Sequence, residues 1–331
     1  IPRFNIMYAD KEDNIYYVSN AQLPVRDTSY DWNLVLPGNT SKTVIREHHK
    51  LKELPQLFNP SQGYLFNTNH SPFNCAHPDD NPDEEDYPAT FSFQEKINNR
   101  SLRFEELIQQ YDKISYQDFI DIKYDQQYPT PIFCPFEIND IFEYSSPDYP
   151  EIKDLIDIIQ GWDRKADTNS IGAAQWYIYY ELLNKRITQV KHDLDAPVPS
   201  ALIIEALKST KDYFLDNFGR IDVVFKDFQK HVRGDVEIPV SGLVDMIAAT
   251  STTSYNSGVV KAVSGDSYIM LVRYGDDKVL IETVLPYGTS AHPDSPHYTD
   301  QMHMYVNHKR KKMSLDKDVI MESAVKIYHP K

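Results

Sequence analysis

Two Tyr- and Ile-rich runs, residues 4–9 and 15–18, flank the polar segment Asp10-Lys11-Glu12-Asp13-Asn14. That pattern predicts a β-hairpin. Between residues 20 and 60, prolines and polar turns separate short apolar pieces, which predicts loop with isolated strands. The run Tyr64-Leu65-Phe66-Asn67-Thr68-Asn69 is apolar enough to read as a half-buried strand entering a loop at His70-Ser71-Pro72. From His77 to Asp86 the chain is almost wholly polar and holds two prolines, which predicts an exposed loop. The period then becomes helical. Phe104, Leu107, Ile108 and Tyr111 share one face, and Ser115 with Asp118 forms a capping box ahead of Phe119 and Ile122. Further helical patterns cover residues 151–161, 171–190 and 199–218, the last opening at Pro199-Ser200 and closing at Gly219. Strands return over residues 267–274, joined through Gly275-Asp276-Asp277 to residues 278–284. Their continuous apolar stretches predict a hairpin covered on both faces, or nearly so. The order implies an α+β fold without internal repeats, in three regions: 1–90 of strands and loops, 91–230 mainly helical, and 231–331 returning to strands and a helix.

Within the first region, Asn67 and Asn69 are costly in an apolar run unless their amides find partners. On a strand, alternate side chains share a face, so both amides could converge on one point, which is how a protein stabilises an oxyanion. The plainer reading is that both tie down a loop through nearby backbone. Composition narrows the remaining classes. A net charge of −15 argues against nucleic acid and anionic membrane surfaces as partners, because both are bound through Lys and Arg. No run of eighteen apolar residues is present to span a bilayer. Cys75 and Cys134 are the only cysteines, which excludes a disulfide-dense scaffold and favours two free thiols. His48 and His49 are adjacent, and His297 and His303 are six apart, so neither pair has zinc-ligand spacing. Asp79, Asp80, Asp83, Glu84, Glu85 and Asp86 could offer oxygens to calcium, but without EF-hand spacing; a solvated acidic loop is the ordinary reading.

Asn59-Pro60-Ser61-Gln62-Gly63-Tyr64 leads into Asn67-Thr68-Asn69-His70-Ser71-Pro72. Near the C-terminus, Tyr287-Gly288-Thr289-Ser290-Ala291-His292-Pro293-Asp294-Ser295-Pro296-His297-Tyr298-Thr299-Asp300-Gln301 forms a second block. Together they resemble the penicillin acylase and acyl-homoserine-lactone acylase family of N-terminal-nucleophile hydrolases. Tyr8-Ala9-Asp10, Leu36-Pro37-Gly38, Trp162-Asp163 and Gly265-Asp266-Ser267-Tyr268 are weaker echoes in the same order.

The resemblance implies the C-terminal part of a large (β) subunit in a four-layer αββα sandwich, with an inserted helical region. Such enzymes cut themselves from a precursor and expose a nucleophile whose own α-amine, titrating near about pH 8, acts as base. Ile1 has no nucleophilic atom. The nucleophile, the upstream part of the β subunit and the α subunit are therefore expected as partners from the same precursor, and this fragment alone should be inactive. The implied substrate is a small acylated amide, a β-lactam side chain or an acyl-homoserine lactone, and the implied location periplasmic or secreted. No cofactor is required, although some relatives hold one calcium near the acidic loop. By the family motif, Asn69 is the oxyanion-hole donor and Arg100 the arginine that orients it, with Arg103 one helical turn away as the alternative. Asn67 supports the loop, and with Thr68 and His70 it is a candidate for the substrate pocket. His292 and His297 would be structural. A non-catalytic secreted binding or scaffold domain is the competing reading, permitted by 23 tyrosines and the acidic surface.

Overall fold

The computed structural model describes residues 4–91, 93, 97–275 and 278–329. Ile1, Pro2 and Arg3, and Asp276 and Asp277 of the expected hairpin connection, lie outside the described residues. The chain divides into two units, Ile1–Leu102 and Arg103–Lys331, so residues 103–230 of the expected helical region fall with the C-terminal strands in the second, and residues 91–102 in the first.

In the first unit β1 (Phe4–Ala9) and β2 (Ile15–Asn20) form the expected hairpin, in register from Phe4 opposite Asn20 to Ala9 opposite Ile15. Its turn is organised by Asp10, whose Oδ1 accepts the backbone N–H groups of Glu12 and Asn14, each at 3.0 Å. Acceptance of local backbone donors is what suits Asp to turns. The short strand β3 (Gln56–Phe58) adds antiparallel to β2. Tyr17, Val18 and Ser19 of β2 are buried; Val18 packs with Leu23, Leu54 and Phe91, while the Tyr17 hydroxyl donates to Asn5 Oδ1 at 2.7 Å. The helix α1 (Asn99–Ile108) begins at the end of this unit.

The second unit is built on α2 (Tyr116–Lys123), α3 (Lys153–Gln160), α4 (Ala173–Val190), α5 (Ser200–Phe218) and the single turn α6 (Phe225–Phe228). The capping box at α2 is present: Ser115 Oγ accepts from Asp118 N, and Asp118 accepts from Ser115 N at 2.8 Å. Leu155, Ile156 and Ile159 of α3, Trp176, Tyr179 and Leu183 of α4, and Ile203, Leu207 and Phe214 of α5 make the main core. Gly172 opens α4 at φ 108°, where an added Cβ would lie 2.5 Å from Trp162 Cβ, so only glycine fits. Gly219 ends α5 in the left-handed region at φ 69°, as its sequence position predicts.

A four-stranded sheet follows, made from β4 (Gln229–Arg233), β5 (Val236–Pro239), β6 (Thr250–Asn256) and β7 (Val259–Gly265). Its order is β5-β4-β7-β6, with β4 and β7 parallel. The expected C-terminal hairpin is β8 (Ile269–Tyr274) with β9 (Val279–Val284). After α7 (Met302–Val306), β10 (Lys311–Met313) pairs with β9, and α8 (Lys317–Ser323) comes last. The expectation that this hairpin is covered on both faces is corrected. Ile269, Leu271 and Val284 are buried under Tyr116 and Ile120 of α2, Tyr124 just after it, and Met304 and Tyr305 of α7. Met270 and Tyr274 on the opposite face are 48% and 43% exposed. Continuous apolarity cannot distinguish one covered face from two; the packing partners decide it.

Candidate active site

The predicted strand over residues 64–69 is replaced by a turn in which its own side chains take part. Asn67 Oδ1 accepts the Asn69 backbone N–H at 2.9 Å, an i to i+2 bond that curls the chain. Asn69 sits at φ 68°, a region Asn enters more readily than most non-glycine residues. The two amides therefore do not line one strand face. Asn67 commits its oxygen to the turn, and its buried Nδ2 has no hydrogen-bond partner among the described residues. Asn69 is exposed.

His70 supports the turn from inside. It is 3% exposed and stacks on Phe66 with ring centroids 4.9 Å apart. Its Nε2 donates to the Asn74 carbonyl, which leaves Nδ1 to accept from Thr68 N at 3.1 Å. Burial pushes the imidazole below its ordinary range; the Asn74 carbonyl opposes this, and the Arg100 charge adds to it. His70 and Thr68, considered as pocket residues, are thus engaged in holding the Asn67–Asn69 turn.

Asn98 ties that turn to α1. Its Nδ2 donates to the Thr68 carbonyl at 2.8 Å, and its Oδ1 accepts from Thr68 Oγ1 and from Ser101 N, each at 2.9 Å. The bond to Ser101 N is the N-cap interaction, so one side chain starts the helix and pins the turn. Arg100, in the first turn of α1, donates from Nη1 to Asn69 Oδ1 at 3.0 Å. Arg103 is occupied otherwise: Nε and Nη2 grip Asp125 at 3.0 and 2.9 Å, and Nη1 reaches Glu106 at 2.9 Å. Of the two arginines considered, Arg100 is the one bonded to Asn69. Sequence reasoning missed Asn98, although an Asn immediately before a helical run, three residues ahead of a Ser, is itself an N-cap signal.

The arrangement has a simple chemical capability. With Oδ1 held by a guanidinium, the amide cannot flip, and Nδ2 is left as an oriented donor with no hydrogen bond among the described residues. The two thiols of the chain and the Ser71 hydroxyl are quiet as nucleophiles. Burial pushes the Cys75 thiol up to about 12 and that of Cys134 to about 11, so neither is a thiolate at neutral pH. Ser71 Oγ accepts from Phe73 N at 3.3 Å and caps a 3-10 turn. In the acidic loop, Asp80 accepts the N–H groups of Ser61 and Gln62 at 2.9 Å, and Asp83 accepts Glu85 N at 2.9 Å. Among the described residues no three His, Cys, Asp or Glu side chains converge as metal ligands. His49 meets Glu53 at 3.2 Å, and His297 pairs with the Asp300 carboxylate at 2.8 Å rather than with backbone.

The fold is similar to that of a solved structure, the thermostable penicillin G acylase from Alcaligenes faecalis. The TM-score is 0.58 at 18% identity, over 99% of this chain and 68% of that one. The penicillin amidase family model matches residues 1–322, and the chain belongs to that family. It is 29% identical over 120 residues to penicillin G acylase from Escherichia coli, a match taking in 36% of this chain and 13% of the relative's length.

Proposed function

We propose that this chain works as part of a longer penicillin-acylase-type amidohydrolase, in which Asn69 Nδ2 stabilises the oxyanion formed when the amide of an acylated amine is attacked. The observation that carries the reading is the Arg100 to Asn69 bond of 3.0 Å, which aims an exposed amide donor in a chain of this family. The tetrahedral intermediate carries negative charge on the former carbonyl oxygen, and a preorganised amide donor lowers its energy most when that charge develops. Arg100 positions the amide and polarises it. The nucleophile comes from a segment outside these residues, from the upstream β-subunit part, with the α subunit of the same precursor completing the enzyme. The small acylated amide is a β-lactam side chain or an acyl-homoserine lactone, and the setting periplasmic or secreted.

Phenylacetyl and long-chain-acyl chromogenic anilides test this. The isolated 331-residue chain is expected to give only the buffer rate, whereas the longer gene product hydrolyses at least one of them. Turnover by the isolated chain that disappears in Asn69→Ala would place the nucleophile within these residues. An inactive longer product, correctly processed, would favour a binding domain instead.

A further inference from the structure

The C-terminal stretch of the second unit carries a charge opposite to that of the chain. Between Lys309 and Tyr328 six cations accompany three carboxylates, against a net charge of −15 for the whole sequence. Arg310 reaches Glu282 at 3.7 Å, whereas Lys309, Lys311, Lys312, Lys317 and Lys326 form no ion pair among the described residues. All five lysines are exposed. Lys311 and Lys312 lie on β10, the outer strand of its sheet, where cations discourage pairing with a further strand.

Apolar surface follows directly. Leu315, Val319, Ile320, Met321, Ile327 and Tyr328 are each between 45% and 72% exposed. On α8 the middle three form one face centred on Ile320, with Asp318 and Glu322 on the opposite side. The same combination recurs on the sheet. Lys311 stands opposite Thr283 and Thr283 opposite Met270, so Lys311 and Met313, two apart on β10, share the face of the exposed Met270. Exposed apolar surface rimmed by charge marks an interaction site.

We propose that residues 309–328 dock the chain on an anionic phospholipid bilayer, with the lysines against headgroup phosphates and Leu315, Ile320, Ile327 and Tyr328 set between the headgroups. Such a surface complements both features at once, cations by phosphate and apolar side chains by acyl chain. Nucleic acid would engage the lysines and leave the aliphatic side chains in water. The net charge of the chain does not forbid the contact, because exposed charges more than about 10 Å away are largely screened at about 0.1 M salt, so the bilayer senses the local segment. No described helix is long and apolar enough to cross a membrane, and the segment is read as lying on the surface.

Co-sedimentation of the 331-residue chain with phosphatidylcholine vesicles, alone or with roughly 30% phosphatidylglycerol, tests the proposal. Binding to the anionic vesicles should be about tenfold tighter, and about 0.5 M NaCl should remove most of the difference. Lys309→Glu, Lys311→Glu and Lys312→Glu together should bring binding down to the neutral-vesicle level. Ile320→Asp with Ile327→Asp should weaken it on anionic vesicles while the circular dichroism spectrum stays unchanged. Equal binding to both vesicles, or binding indifferent to the triple substitution, overturns the proposal. A preference for duplex DNA over vesicles overturns it in favour of a nucleic-acid patch. Self-association that the Ile320→Asp, Ile327→Asp pair abolishes, without vesicle binding, overturns it in favour of a second copy. Loss of vesicle binding in the longer enzyme proposed above would show the segment covered by its own protein, and overturns it equally.

Discussion

At the scale of single residues, Asn69 and Arg100 behave as one device: the guanidinium holds Oδ1 at 3.0 Å, and the other end of the amide faces outward. In the longer enzyme proposed above, Asn69→Ala should lower kcat by roughly a hundred- to a thousand-fold with little change in KM, because the donor matters mainly once charge develops. Arg100→Ala should cost less, since it acts through the amide, and the double variant should lose far less than the product of the two single losses. Steady-state kinetics of the four proteins check this; a full product would mean that Arg100 does not act through Asn69. The identities of both residues were legible in the sequence through the family motif. Their conformation was not. The same Asn-x-Asn pattern suits a strand face or an i to i+2 turn, and bonds to Asn98 and His70 select the turn.

At the scale of elements, α1 illustrates how a helix start can set a site. Asn98 caps the helix through Ser101 N and also holds Thr68 through its carbonyl and hydroxyl. Asn98→Ala should therefore destabilise the chain by about 2 kcal/mol, the upper end for a cap, as measured by urea unfolding. Asn98→Asp separates the two roles. It keeps an acceptor for Ser101 N but has no donor for the Thr68 carbonyl, so it should recover most of the stability while the Asn69-dependent rate stays impaired. Equal stability of Asn98→Ala and the parent chain would remove Asn98 from both roles. The long helices were easier to read. Their apolar period, the Ser115 box and Gly219 are local features within a few residues of one another, and local features survive tertiary assembly.

At the scale of the whole molecule, three histidines share one behaviour. His70 in the first unit and His231 and His308 in the second are all pushed below their ordinary range, burial being the largest cause in each. The unfolded chain then takes up protons near pH 6.5 that the folded chain refuses, so the stability present above about 6.5 is lost as the pH falls below it. Asp27 and Asp80 are held below the usual carboxylate range, and their effect appears only at more acid pH, near about 4. Thermal melts at pH 7.5, 6.5 and 5.5 should therefore show a falling midpoint; a flat profile would contradict the burial of these rings. What the sequence determined by itself was the α+β class, the C-terminal hairpin, the helices and the motif residues, because periodicity, caps and turn signals act over one or two turns of chain. What only the tertiary structure decided was the turn at Asn69, the double role of Asn98 and the single covered face of β8 and β9. Each of these depends on a partner distant in the chain, as in the bonds from Asn98 and Arg100 back across 30 and 31 residues, and no local pattern encodes which distant partner arrives.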